Sequence, residues 1–519
     1  MLQLLKKIRV TVAAVFILSV SFLFLDFSNI LPSGLHAFLV STQLVPSLIR
    51  TIVVFSGASV GLFIVLLLTV LFGRVYCSTI CPLGTLQDVA IRIAKRVNRR
   101  RRFKFKKPFY TIHYIVFLCA AVFALSGSLV LLNLFEPFSN YGRILTNLIS
   151  PSVVLANNTL GNILGLFGLI FLFQIPLLHV SIISVLASLI FLGLVLYLSY
   201  NHGRLFCNLL CPAGALLGMI SRFSIFKIVI DENNCKECGL CERVCKANCI
   251  NSGSKEIDYA ACVGCFNCLD ACPTGGMSYE GRWKKTSNIL PMINEGRREV
   301  LKTSIFPVLG MLLPSVNTDS TTDKNHWEFD ESHRHPISPP GSISVEHFSN
   351  RCTACHLCIS SCPTQVLFPS FLDYGVAGIF QPKMNYAASY CNFDCVICGQ
   401  VCPTGAILPL DSNMKKQVQI GKAHFVKDDC IVVMKKKDCG ACSEHCPTKA
   451  VKMVPYEQRL VVPEINDEIC VGCGACEHAC PVQPRKAIYV KSNPVHLIAK
   501  KPKSEKMEPS FDSKQDFPF

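Results

Sequence analysis

Cys235-Lys236-Glu237-Cys238-Gly239-Leu240-Cys241-Glu242-Arg243-Val244-Cys245 is followed at a short interval by Cys262-Val263-Gly264-Cys265-Phe266-Asn267-Cys268-Leu269-Asp270-Ala271-Cys272-Pro273. Both read Cys-x2-Cys-x2-Cys-x3-Cys. Three cysteines in such tight turns converge on one inorganic core. The spacing is that of [4Fe–4S] motifs, in which the fourth thiolate serves the other motif's core. Cys235, Cys238 and Cys241 are therefore expected to pair with Cys272, and Cys262, Cys265 and Cys268 with Cys245. Zinc and disulfides are the competing explanations. Zinc sites close with four ligands and rarely repeat this spacing, and disulfide scaffolds are short secreted chains. One departure is visible: Lys246 stands where proline usually follows the fourth cysteine.

The pattern recurs downstream. Cys352, Cys355, Cys358 and Cys362 are regularly spaced; Cys391, Cys395, Cys398 and Cys402 have one extra residue in the first gap. Cys430, Cys439, Cys442 and Cys446 have a stretched first gap, and Cys470, Cys473, Cys476 and Cys480 are regular again. Crossing the fourth ligand within each pair gives four more clusters, six in all. Twenty-four of the 30 cysteines fall in these motifs, leaving Cys77, Cys81, Cys119, Cys207, Cys211 and Cys249. Ile431-Val432-Val433 and Leu460-Val461-Val462 suit the short strands of bacterial ferredoxin-like α+β units.

Upstream the composition changes. Half of the 519 residues are hydrophobic, and the long apolar runs lie in the first 230. Val10–Leu25 reads as an uncleaved first helix, and Ile52–Phe72, Ile112–Leu132 and Val180–Leu198 are apolar runs of the length needed to cross roughly 30 Å of hydrocarbon, which predicts an α-helical membrane domain of four helices. Leu160–Leu178, broken by Gln174 and Pro176, is expected to be re-entrant or interfacial. The net charge of +16 is concentrated partly in Lys95–Lys107, KRVNRRRRFKFKK. Between two spans this run reads as a cytoplasmic loop obeying the positive-inside rule, not as a nucleic-acid surface.

The two membrane segments share a repeat. Gly73-Arg74-Val75-Tyr76-Cys77-x3-Cys81-Pro82-x-Gly84 is matched by Gly203-Arg204-Leu205-Phe206-Cys207-x3-Cys211-Pro212-x-Gly214. Matching flanks place both on one membrane face. Cys77, Cys81, Cys207 and Cys211 are candidate metal ligands: four thiolates suit a seventh iron–sulfur cluster, a redox-active dithiol or a soft metal such as Cu(I). Cys119, mid-helix, is expected to be core. His36, His113, His179 and His202 lie near span ends, which suits haem ligation poorly. Glu136, Tyr141 and Arg143, in the loop after the third helix, have the chemistry to take protons from a quinol. No nucleophile–base constellation stands out, so no catalytic residues are assigned.

Past the central motifs, Gly296-Arg297-Arg298-Glu299-Val300-Leu301-Lys302 precedes an apolar stretch, Ile305–Val316. This has the form of a twin-arginine export signal and predicts a fifth span, with the rest of the chain outside. The expected domains are a membrane domain (1–230), a dicluster unit (231–285), the fifth span (286–316), a linker (317–342), two further dicluster units (343–410 and 411–495) and a charged tail (496–519).

Gly203–Gly214, Ser221-Arg222-Phe223-Ser224 and Cys235–Cys249 resemble the membrane polyferredoxins. These include the NapH-type quinol dehydrogenase component of periplasmic nitrate reduction and an accessory protein of cbb-type oxidase assembly. Arg297 through Pro339-Pro340-Gly341 to Pro481 is similar to the exported NapG-type ferredoxin, so the chain looks like a fusion of the two. The resemblance implies a multi-pass protein of the bacterial inner (cytoplasmic) membrane with a periplasmic C-terminal half. It implies electrons drawn from the quinone pool, with quinol as substrate, and passed to a redox partner protein on the periplasmic side in anaerobic respiration. The alternative is a maturation factor that reduces or delivers a metal.

Overall fold

A computed structural model describes residues 2–26, 30–53, 60–97, 110–167, 174–175, 181–231, 233–281 and 336–501. Helix α1 (Leu2–Leu25) organises the molecule. Val60–Phe72 (α2), Pro82–Val97 (α3), Tyr110–Leu125 (α4), Pro137–Ile144 (α5), Ser150–Leu166 (α6), Ile182–His202 (α7) and Pro212–Ser221 (α8) follow. Among the described residues, two helices are long and apolar enough to cross a membrane, Leu4–Leu25 and Ile182–His202. The expected second and third spans appear as the shorter apolar helices α2 and α4. α4 ends ahead of Gly127, whose φ of 85° turns the chain out of the helix. The proposed re-entrant run is described as helix to Leu166. The twin-arginine-like segment, the expected fifth span, most of the basic loop and most of the tail lie outside the described residues.

The remaining chain forms small antiparallel pairs around the cysteine turns. Phe226–Ile230 (β1) pairs with Met277–Gly281 (β2) and closes the central dicluster unit. Leu367–Pro369 (β3) pairs with Pro382–Met384 (β4), Val451–Pro455 (β6) with Val461–Ile465 (β7), and Val418–Phe425 (β5) with Ile488–Ile498 (β8). Ile431-Val432-Val433 is not the expected strand: Ile431–Lys435 is an α-helical turn. The stretched gap must bring Cys430 and Cys439 back to one cavity, and a helical turn shortens it where a strand would lengthen it. The end of the expected linker also belongs to the outer arm. Pro339, Pro340 and Gly341 are buried, and Leu408 N–H donates to Gly341 O at 2.9 Å.

α1 meets a different cluster-bearing unit at each end. Near its start Lys6 pairs with Asp270 of the central dicluster unit at 2.5 Å. Near its end Leu23 and Phe24 enter the core that contains Cys352, Cys355 and Leu357 of the outer arm. Eighteen residues separate Lys6 from Phe24, about 27 Å at the α-helical rise. The flanks of these long helices remain apolar and exposed, with Leu18 at 69% on α1 and Ile190 at 71% on α7.

Candidate iron–sulfur sites

Four cavities are lined by cysteines, and in each the fourth cysteine comes from the paired motif. Cys235, Cys238 and Cys241 share theirs with Cys272. Cys262, Cys265 and Cys268 are joined by Cys245, Cys391, Cys395 and Cys398 by Cys362, and Cys430, Cys439 and Cys442 by Cys480. At the other two sites the crossed cysteine acts electrostatically on the three-cysteine turn. Burial pushes the Cys352, Cys355 and Cys358 thiols up, and Cys402 adds to the effect. Cys470, Cys473 and Cys476 respond to burial and to Cys446 in the same way. Among the described residues no three His, Cys, Asp or Glu side chains are close enough to hold one metal ion. Thiolates about 2.3 Å from a single zinc would lie within about 4 Å of one another. The cysteines are spread instead around cavities suited to a cube, and a [4Fe–4S] cluster held there would exchange one electron at a time.

The outer sites follow one another. Gly142 of α5 is packed against Cys355 O and Phe24, which leaves no room for a side chain. In the second outer pair, Cys473 O accepts from Cys391 N–H at 2.9 Å, and Tyr386 O–H donates to Gly472 O at 2.6 Å. The order from the end of α1 is thus Cys352/355/358/402, Cys391/395/398/362, Cys470/473/476/446 and Cys430/439/442/480.

The segment at Glu136 is not a solvated loop. Glu136 is 1% exposed and caps α5, accepting from Phe138 and Ser139 N–H. Arg143 donates to Asn133 O and Asn140 Oδ1 and stacks 5.2 Å over Phe380. Tyr141 O–H and Ser21 Oγ are 2.7 Å apart. These groups fasten the outer arm to the helices.

The duplicated segment forms one site with two-fold character. Cys77, Cys81, Cys207 and Cys211 are all buried in a single core, which also contains Cys265. Gly73 and Gly203 end equivalent helices with φ of 76° and 68°. Cys81 N–H donates to Tyr76 O and Cys211 N–H to Phe206 O. Arg74 Nη2 donates to Cys207 O at 3.1 Å, and Arg204 Nη1 donates to Cys77 O at 2.5 Å, so each repeat supports the other's thiol. A Cβ on Gly84 would overlap Cys77 O, and one on Gly214 would overlap Cys207 O. Burial pushes the Cys81 and Cys211 thiols up, and Cys77 and Cys207 add to it at both. Four thiolates therefore require positive charge between them, while two buried guanidinium groups at their backs suit an anionic cluster. Cys119, expected in the core, is exposed on α4. His113 Nε2 lies 3.1 Å from Cys211 O, supporting the site's backbone.

Three features escaped the sequence reading. Gln87 Nε2 reaches Cys207 Sγ at 3.5 Å. Asp88 pairs with Arg9 (2.9 Å), Arg204 (2.7 Å) and Lys246 (3.0 Å). Burial would raise the Asp88 carboxyl, but Arg204, Lys246 and Arg9 overcome it and hold it well below the usual range. The two residues occupy positions filled by Leu217 and Gly218 in the second repeat, and that divergence was the available signal. Lys246 is where it is because it reaches Asp88. Arg204 N–H donates to Lys246 O at 2.9 Å, Asn208 Nδ2 to Ala247 O at 3.4 Å, and Asn248 Nδ2 to His202 O at 3.1 Å. The loop after Cys245 thereby docks the central unit on the quartet. The third feature is Cys249, which lines the Cys262 cavity.

Residues 55–108 and 184–230 match a family model described as a 4Fe-4S binding domain, and residues 437–483 match a 4Fe-4S dicluster domain. An uncharacterized protein of Methanocaldococcus jannaschii is 40% identical over 95 residues, 18% of this chain and 38% of that protein. The ferredoxin-type protein NapF of Escherichia coli is 29% identical over 136 residues, 26% of this chain and 74% of NapF. The methylamine utilization ferredoxin-type protein MauM of Methylophilus methylotrophus is 30% identical over 144 residues, 26% of this chain and 62% of MauM. The chain thus spans less than two thirds of the first of these relatives, and of MauM. It carries ferredoxin-type 4Fe-4S domains and is homologous to NapF and MauM.

Proposed function

We propose that the chain is a membrane-bound iron–sulfur conductor that takes electrons from quinol and delivers them to an acceptor in the periplasm. The observation that carries this reading is the placement of the two cluster-bearing bodies at opposite ends of α1. Their contacts lie about 27 Å apart along α1, close to the thickness of the hydrocarbon core. The apolar, exposed flanks of α1 and α7 support it, since such surface facing water would be costly.

Residue by residue, the chain's task is to hold sulfur ligands and exclude water. The quartet Cys77, Cys81, Cys207 and Cys211 is packed with Cys265 of the central unit, so a seventh cluster there would sit beside the Cys245/262/265/268 site. The 4Fe-4S binding-domain model supports this, because its two matched segments contain those four cysteines and none of the other motifs. On the far side, α5 presses against Cys355, making the Cys352/355/358/402 site the entrance to the outer arm. The Cys430/439/442/480 site ends the relay and is where the periplasmic redox partner would dock.

Reporter fusions after Gly281 and after Ser342 test the topology. Opposite faces are expected, and cytoplasmic signals from both would reject outward delivery. Anaerobic addition of a menaquinol analogue, followed by EPR, tests the donor. Loss of copper handling in Cys77→Ser with quinol-linked reduction intact would point instead to metal delivery.

A further inference from the structure

The Cys262 cavity is lined by five cysteines, one more than a cube has corners. Cys245, Cys262, Cys265 and Cys268 supply the four ligands. Cys249 is the fifth; it is 2% exposed, with its Sγ 3.5 Å from Cys245 Sγ, and it lines the cavity together with Cys262. Its backbone is fixed: Cys249 O accepts from Asp258 N–H at 2.8 Å, and Ile250 pairs with Ile257 in a two-residue ladder.

We infer that Cys249 is a potential-setting residue of this cluster, a retained thiol whose S–H donates to the ligand sulfur of Cys245. The inference rests on the reading of this cavity as a [4Fe–4S] site. A hydrogen bond to a ligand sulfur stabilises the more negative, reduced state and raises the reduction potential. The location gives this consequence. Residues 246–248 dock on the quartet while Cys265 is packed with it, so the tuned cluster stands at the junction between membrane and central unit. A thiol here favours that cluster as the acceptor of an electron arriving from the quartet.

The test uses the full chain, purified anaerobically, with iron counting and EPR-monitored redox titration. Cys249→Ala is expected to keep the parent's iron and to lower the midpoint potential of one cluster component. Cys249→Ser, which restores a donor, is expected to return that component toward the parent value. Cys245→Ala is expected to lose about four irons per chain. Unchanged potentials in Cys249→Ala would overturn the proposal. So would the loss of about four irons from Cys249→Ala, or full iron in Cys245→Ala, because Cys249 would then be a ligand. Parent protein short of four irons at this site would instead reject the cluster reading, and the proposal with it.

Discussion

Arg204 donates to the carbonyl of Cys77 across the duplicated site, 127 residues away in sequence, while its other nitrogens hold Asp88. It is fully buried. Removing one member of such an ionic group leaves the rest charged and unpaired, which costs about 3–5 kcal/mol. Arg204→Ala is therefore expected to lower the thermal midpoint sharply. Arg204→Lys keeps the charge but not the planar fork, and should recover only part of the loss.

Asp88→Asn removes the shared counter-charge of Arg9, Arg204 and Lys246. Limited proteolysis near residue 231 should accelerate as the central unit loosens. The Asp88 carboxyl is held below its ordinary value, so its stabilisation is complete above about pH 4 and is lost as pH falls below that. The variant should show a correspondingly weaker loss of stability over that acid range.

Gly84→Ala and Gly214→Ala should each disrupt the quartet, because the added methyl overlaps a carbonyl that cannot retreat from its arginine. Gly165→Ala and Gly193→Ala, with nothing within 4 Å of the new atom, serve as controls and should leave iron content unchanged.

Crossed ligation predicts an additivity pattern. Cys362→Ser and Cys395→Ser line one cavity, so the double variant should lose the same four or so irons as either single one. Cys362→Ser combined with Cys355→Ser, from different cavities, should lose about eight.

His496 lies 3.0 Å from Ser338 and holds the start of the outer arm to β8. Burial lowers its pKa from 6.5 to about 4. A neutral, buried histidine favours the fold fully above about pH 6.5, and that contribution is lost as pH falls toward 4. The total is no more than about 3 kcal/mol. Thermal unfolding between pH 7.5 and 5 should be less pH-dependent in His496→Gln than in the parent.

The cluster motifs were legible because a cube imposes short, fixed spacings on its ligands, and the repeat was legible because both copies keep the same glycines, arginines and cysteines. What depended on distant partners was not. Ile431-Val432-Val433 has the composition of a strand, but the closure between Cys430 and Cys439 makes it helical. Glu136 and Arg143 read as wet chemistry at a membrane surface; their burial comes from an outer arm more than 200 residues later, at Cys355 and Phe380. Lys246 was visible as an oddity, and its reason, Asp88, lies 158 residues upstream.

The exchanged arginines carry a consequence for how such a site can arise. Each copy of the repeat offers a pair of thiols and a guanidinium that serves the other copy. That is the reciprocity of an isologous interface, with the same surface used twice across a two-fold axis. A chain with a single repeat would therefore be half a binding site and would complete it only by meeting its own twin. Joining two repeats in one chain makes the meeting independent of concentration and frees the copies to diverge, as Asp88 and Gly218 have done.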